Sequence, residues 1–317
     1  MKKKATKTVI ITGGNTGLGF EAAKVIAGAS TDWHVVIASR SQNKGDQAAQ
    51  DLIQTTQNPN VSAIVLDLSS ISSVKQFADQ FSMAGLPPLH VIVCNAGTQF
   101  VQGTQMTADG IEATFGVNHL GHFMLVRLLL NHLQENGRIV VVSSDTHDFS
   151  KKTGMPAPRY ASPTILADPV ESDRLLGSLS DLAKGQVRYT TSKLCNLYFA
   201  YELSRQIQQS KRSISVAAFN PGMMPGKGSA LTRDYNPLLR FMWNNIMPLL
   251  RFVRSSVRTT KQSGNDLANL VLRGSVQSGS YWDGPQEIAS SEESYNKEHA
   301  LELWKWSSEK LNLKLHV

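Results

Sequence analysis

Cysteine is scarce in this chain of 317 residues, which holds only Cys94 and Cys195. Two thiols cannot build a disulfide framework, and no Cys/His spacing of a metal site accompanies them. The expectation is no metal and a reducing compartment. Long apolar runs are also missing: no stretch of about 18 apolar residues marks a membrane span. Residues 8–12 are too short for the apolar part of a secretory leader and run straight into glycines, so no signal peptide is expected. Acid is in deficit, with 25 Asp and Glu against 32 Lys and Arg and a net charge of +7. That balance favours anionic partners. The cations are nevertheless dispersed. Only Met1-Lys2-Lys3-Lys4 is clustered, and it reads as a solvated tail. Without an arginine-rich arm or a zinc-finger spacing, no nucleic-acid partner is expected. No Pro/Gly/Ser linker divides the chain, and 41% hydrophobic with 18% charged residues suits a packed core. One domain over residues 1–317 is the expectation, in the cytoplasm.

Short apolar runs alternate with amphipathic stretches. Strands are predicted over 8–12 (TVIIT), 34–39 (HVVIAS), 62–67 (SAIVLD), 89–94 (LHVIVC) and 138–143 (RIVVVS). Helices are predicted between them over 17–27, 44–54 and 71–81, and around 117–133. Strands separated by helical patterns imply an α/β fold: a doubly wound parallel sheet with helices on both faces. The rhythm breaks after Ser144. Residues 147–185 are rich in Pro, Ser, Asp and Lys and read as an insertion holding one short helix. The pattern then resumes with a helix over 189–208 and a strand over 213–220. An apolar helix over 238–253 is interrupted by Pro248. Helix 264–272, a strand near 279–282 and helix 297–311 complete the chain.

Thr12-Gly13-Gly14-Asn15-Thr16-Gly17-Leu18-Gly19 follows the first strand and opens a helix. Glycines allow a backbone to approach a pyrophosphate, and a helix N-terminus offers unpaired N–H donors. Gly13, Asn15, Thr16, Gly17, Leu18 and Gly19 are therefore cofactor candidates. At the end of the second strand an acid would suit the ribose hydroxyl of NAD. Here stand Ser39-Arg40, with Lys44 one turn later, which suits the 2′-phosphate of NADPH. Asp67 and Leu68 are placed beside the adenine, and Asn95-Ala96-Gly97 along the cofactor. Tyr189 and Lys193 stand one helical turn apart. A cation beside a phenol favours the phenolate, so a Tyr189 pKa below its usual value is expected.

Taken together, TGGNTGLG, CNAG, NHLGHF, the serine pair and YTTSK resemble the short-chain dehydrogenase/reductase family over nearly the whole chain. The resemblance implies a Rossmann-type single domain. It makes Tyr189 the proton donor, has Lys193 hold the nicotinamide ribose, and lets Ser144 bond the substrate oxygen, with Ser143 as the alternative. Asn118 would hold a helix kink and a water leading from Lys193. Pro221 and Gly222 join the cofactor set. His119 and His122 read as packing and helix-surface residues.

Within the family, NHLGHF resembles both the light-dependent protochlorophyllide oxidoreductases and the retinol-dehydrogenase-like reductases. The insertion and the SKLCN context of Cys195 lean to the first. The function so implied is light-dependent reduction of a ring C=C bond by NADPH. The alternatives are dark carbonyl reduction of a bulky lipophilic substrate and a non-catalytic NADPH-binding scaffold. Met223, Cys195 and Tyr235 are the substrate candidates. Met223 departs from the pigment enzymes, which carry cysteine after this Pro-Gly, and a thioether has no proton to give. The serine pair departs too, from the Gly-Thr usual there. Residues 223–262 are expected to cover an apolar pocket or to rest on a membrane, a thylakoid one in the pigment case. An oligomer is left open.

Overall fold

β-branched and apolar residues placed between glycine turns fold into strands, of which the central ones are buried on both faces. A computed structural model describes residues 4–226, 234–254 and 256–317. Three residues of the basic N-terminal cluster, and residues 227–233 and 255 of the 223–262 region, lie outside it. Eight strands form one sheet in the order β3-β2-β1-β4-β5-β6-β7-β8. They are β1 (Lys7–Thr12), β2 (Trp33–Ser39), β3 (Val61–Val65), β4 (Leu89–Cys94), β5 (Leu133–Val142), β6 (Ser215–Asn220), β7 (Ser280–Asp283) and β8 (Gln286–Ile288). All neighbours are parallel except β7 and β8, which pair antiparallel. The edge strand β8 has no counterpart among the predicted strands. It is three residues long with an exposed start, too short for a period-two signal.

The helices are α1 (Gly17–Ala29), α2 (Gln42–Thr56), α3 (Ile71–Met83), α4 (Ala113–Phe115), α5 (Gly121–Leu129), α6 (Pro163–Ala167), α7 (Pro169–Leu176), α8 (Asp181–Gln209), α9 (Pro237–Asn245), α10 (Thr260–Leu272) and α11 (Lys297–Lys310). Helices α1, α2 and α10 cover one sheet face, packing Ile26, Leu52 and Leu267 against Val9, Ile11 and Val35. Helices α3, α5, α8 and α11 cover the other, where Phe77, Phe123, Tyr198 and Trp304 meet Ile10, Val36 and Ile92. The strand order reverses between β1 and β4. That reversal opens a crevice at the carboxyl ends of the strands, where doubly wound sheets bind ligands.

Two expectations differ from the structure. The insertion carries two short helices, α6 and α7, each started by a proline in its first turn. The helix bearing Tyr189 begins at Asp181, two turns earlier than predicted, because the Ser180 side chain accepts from the Ala183 N–H and caps it. The interruption expected at Pro248 is present: α9 ends at Asn245 and a 3-10 turn follows over Met247–Phe252. Pro248 lacks the N–H that a continuous helix needs.

Candidate active site

The crevice is a cavity of about 1540 Å³ running from the α2 N-terminus to α9. Its floor is the turn after β1. Gly13 adopts φ +64°, where a side chain is strained. A Cβ on Gly19 would lie 2.6 Å from Asn95 Nδ2 and 2.7 Å from the Gly13 carbonyl oxygen. Gly19 itself does not line the cavity; it lets α1 press against the turn. Gly13, Asn15, Thr16, Gly17 and Leu18 do line it. Thr16 caps α1 without a side-chain hydrogen bond, whereas Ser41, Ser70 and Ser180 each cap their helices through the side chain. The first-turn donors of α1 thus remain for a ligand facing the turn.

Arg40 and Lys44 lie exposed at one end of the cavity, joined by Asp67 and Leu68. Asp51 also lines this end, with its carboxylate accepting from Gln47 Nε2 at 2.9 Å. Asn95, Ala96 and Gly97 line the middle, and the Asn95 side chain donates to the Thr12 carbonyl at 2.7 Å. Pro221, Gly222 and Met223 line it after β6. A cradle of small residues at a helix N-terminus fits a dinucleotide.

The reacting groups come from β5 and α8. Ser143 and Ser144 follow β5, and both line the cavity. Ser143 is buried and donates to the Lys193 carbonyl at 2.8 Å. Ser144 is half-buried, lines the cavity, and donates to Asp145 Oδ1 at 3.2 Å. Among the described residues, the Ser144 hydroxyl is bonded only to its chain neighbours Asp145 and Thr146, at 3.2 and 3.3 Å, whereas that of Ser143 is tied to α8. Tyr189 and Lys193 line the same cavity from α8. Lys193 Nζ donates to the Val142 carbonyl at 3.1 Å and lies 5.5 Å from the Tyr189 ring centroid. A Cβ on Gly97 would come within 3.6 Å of that ammonium.

The expected fall in the Tyr189 pKa is corrected. Burial pushes the phenol above its usual range, and the Asp145 carboxylate and Tyr235 add to the rise. Burial pulls the Lys193 ammonium down to about 8. Desolvation penalises the charged form of each group more than their proximity favours it.

Asn118 stands behind the cavity wall, not in it. It occupies a π-helical turn, Gly116–Leu120, between α4 and α5. Its Oδ1 accepts from the Thr98 N–H at 2.7 Å, and its Nδ2 donates to the Thr98 carbonyl and to Ser192 Oγ, each at 2.9 Å. The expected kink is this π-turn. His122 is buried, not on the helix surface. Burial lowers its pKa to about 4, so the ring is neutral. The Asn118 carbonyl, 3.1 Å from Nδ1, can only accept, which places the proton on Nδ1. Nε2 then accepts from Thr12 Oγ1 at 2.9 Å. His122 therefore ties the glycine turn to the π-turn. His119 packs in the core 3.1 Å from Ser307 Oγ.

Cys195 does not reach the cavity. It is fully buried in the core between α8 and the sheet. Two residues beyond Lys193 is over half a helical turn, so its thiol faces away from the site. Tyr235 and Met223 do line the cavity. Sequence reading missed Asp145, which lines the cavity directly after the serine pair. It also missed Phe100 and Met155 on the far walls, whereas Met224, Trp243 and Met247 beside them fall in the 223–262 region expected to cover an apolar pocket. These come from four separated segments and carry no common motif.

Residues 7–161 match the family model for short chain dehydrogenase, and residues 230–314 match that of the AcuH dehydrogenase domain. The chloroplastic protochlorophyllide reductase of Cucumis sativus is 32% identical over 320 residues, covering 96% of this chain and 78% of that protein. The WW domain-containing oxidoreductase of Gallus gallus is 33% identical over 311 residues, covering 95% and 67%. A crystal structure of a protein from Mycobacterium Paratuberculosis superposes with a TM-score of 0.70 at 26% identity, covering 99% of this chain and 96% of that one. The RhlG/NADP active-site complex of Pseudomonas aeruginosa gives a TM-score of 0.61 at 18% identity, covering 88% and 94%, and shows the fold alone. With relatives this similar over nearly all of its length, the chain belongs to the short-chain dehydrogenase/reductase family of oxidoreductases.

Proposed function

We propose that the protein is an NADPH-dependent reductase of a carbonyl group on a bulky apolar substrate, working without light. The observation that carries this reading is the placing of Ser144 and Tyr189 on one cavity whose far walls are methionine and aromatic. Two hydroxyl donors converging on one oxygen suit a carbonyl that becomes an alkoxide. NADPH, when bound, supplies the hydride accepted by the carbonyl carbon. The turn amides of α1 would hold the pyrophosphate, and Arg40 and Lys44 the 2′-phosphate. Ser144 donates to the carbonyl oxygen and fixes its position. Tyr189 delivers its phenolic proton to the same oxygen, so the C=O becomes CH–OH. With a pKa of about 8, Lys193 is mostly protonated at neutral pH and offsets the phenolate left behind. Met223, Met224, Trp243 and Met247 keep water from the reacting face.

A second reading is light-dependent reduction of protochlorophyllide. Relatives named protochlorophyllide reductase, 32–33% identical over 96% of this chain, support it. In that reading Tyr189 protonates the ring, and Met223 is an apolar wall, a role its flexible thioether suits. Met223 and the Ser143-Ser144 pair favour the first reading. Purified protein is mixed with NADPH and either an apolar aldehyde or protochlorophyllide, in darkness and after illumination. NADPH consumption with the aldehyde in the dark is expected, lost by about 10²–10⁴-fold in Tyr189→Phe. Pigment conversion on illumination, with no dark turnover, gives the function to the second reading. NADPH binding with neither reaction leaves a non-catalytic scaffold.

A further inference from the structure

The described residues expose fifteen large apolar side chains, and seven of them fall between Leu238 and Val253. Neither α9 nor the 3-10 turn after it contains a buried residue. Leu238 is 68% exposed, Phe241 58%, Ile246 50%, Leu249 61% and Phe252 72%. A spacing of three puts Leu238 and Phe241 on one face of α9, and Ile246, Leu249 and Phe252 on one face of the 3-10 turn, and all five face outward. Trp243 and Met247, from the same segment, line the cavity. The segment is therefore a wall with two apolar sides, one facing the site and one facing out.

Its charge is one-sided. From Tyr235 to Asn265 there are five cations, Arg240, Arg251, Arg254, Arg258 and Lys261, and no acid. Arg258 is held by Asp283 at 2.9 Å. No ion pair among the described residues holds Arg240, Arg251 or Arg254. An apolar surface flanked by unpaired arginines matches the two layers of an anionic bilayer, acyl chains below and phosphates above. An acidic protein groove would match the arginines but not so broad an apolar surface. Among the described residues no helix is long and apolar enough to cross a membrane, so the contact is one of surface docking.

We infer that the segment 237–254 docks this protein on an anionic lipid surface, its outward apolar side chains sunk to the headgroup–acyl boundary and Arg240 and Arg251, which stand outside the cavity lining, on lipid phosphates. The cavity wall formed by Trp243 and Met247 then faces the bilayer from behind, and a lipophilic substrate enters beside α9 without crossing water.

The test is flotation of the full-length protein with vesicles of phosphatidylcholine alone or mixed with phosphatidylglycerol. Variants are Arg240→Glu with Arg251→Glu, and Phe241→Ser with Phe252→Ser. These four side chains are exposed and stand outside the cavity lining, and thermal unfolding and NADPH binding check that each variant is folded. The wild type is expected to float with the mixed vesicles and far less with phosphatidylcholine alone. Partitioning should fall at least about fivefold for each arginine replaced, with added salt acting the same way. The phenylalanine pair should abolish flotation. Three results overturn the inference. One is a folded wild type that ignores mixed vesicles at low salt. Another is folded variants that float like the wild type. The third is a lipid-free dimer that the phenylalanine pair dissociates while vesicles capture nothing, which gives the apolar surface to a second copy. No readout involves turnover, so the outcome is separate from that of the proposed reaction.

Discussion

Asp145 changes how the reacting pair works. It accepts from the Ser144 hydroxyl and, after burial, is the largest influence raising the Tyr189 pKa. Its own carboxyl is pushed up by burial. Asp145→Asn removes a negative charge that opposes the phenolate. The Tyr189 pKa should then fall, and the pH at half-maximal alcohol oxidation should move down. An unmoved profile sinks the coupling. At the cavity's other end, Arg40 and Lys44 are the cations proposed to hold the 2′-phosphate of NADPH. Loss of a charged hydrogen-bonded contact costs on the order of 2 kcal/mol, or roughly thirtyfold in affinity. Arg40→Ala should weaken NADPH binding by about that factor and leave NADH nearly unchanged. Equal wild-type affinities for the two cofactors, measured by fluorescence titration, contradict the assignment.

At the scale of elements, the π-turn is the joint between the two halves of the site. An extra residue in the helix at Gly116–Leu120 turns Asn118 toward the strand-end loop, where it pairs with both backbone groups of Thr98. Those bonds fix the loop that carries Gly97 past the Lys193 ammonium. Asn118→Ala leaves the Thr98 groups and Ser192 without these partners. The expected loss is about 2 kcal/mol or more in denaturant unfolding, because each buried unpaired group costs about 1–3 kcal/mol. An unchanged midpoint disproves this role. Close packing sets the insertion in the same way. A Cβ on Gly185 would lie 2.0 Å from the Phe100 carbonyl oxygen, so the start of α8 rests directly on the loop after β4. Nothing local signalled that contact, whereas the Ser180 cap that starts α8 is a local signal the predicted boundary overlooked.

The whole molecule is sensitive to acid through two core histidines. Burial holds His119 at about 3 and His122 at about 4, below the 6.5 of the unfolded chain. Between those values the unfolded state binds more protons than the folded one, so stability falls as pH drops. It is fully present above about 6.5 and is lost progressively toward pH 4. The melting temperature should decline across that window, and less steeply in His122→Asn than in the wild type. Parallel declines in the two proteins rule out His122 as a contributor.

Much of the architecture needed no coordinates. Periodicity and glycine turns located seven of the eight strands, and β4 falls on residues 89–94 as predicted. TGGNTGLG, Arg40, CNAG and YTTSK are local patterns, since a phosphate-binding turn or a helical i, i+4 pair lies within a few consecutive residues. Other features depend on distant segments meeting. The buried Cys195 and His122, the rise rather than fall of the Tyr189 pKa, the different partners of Ser143 and Ser144, and the far wall of Trp243, Met247 and Met155 are of that kind. Desolvation depends on everything packed around a group, and a cavity wall is assembled from residues far apart in the chain. The sequence by itself therefore determined which chemistry this protein carries, because that chemistry sits in contiguous motifs. Only the tertiary structure decided what faces it and at what protonation, because burial is a property of the packed whole.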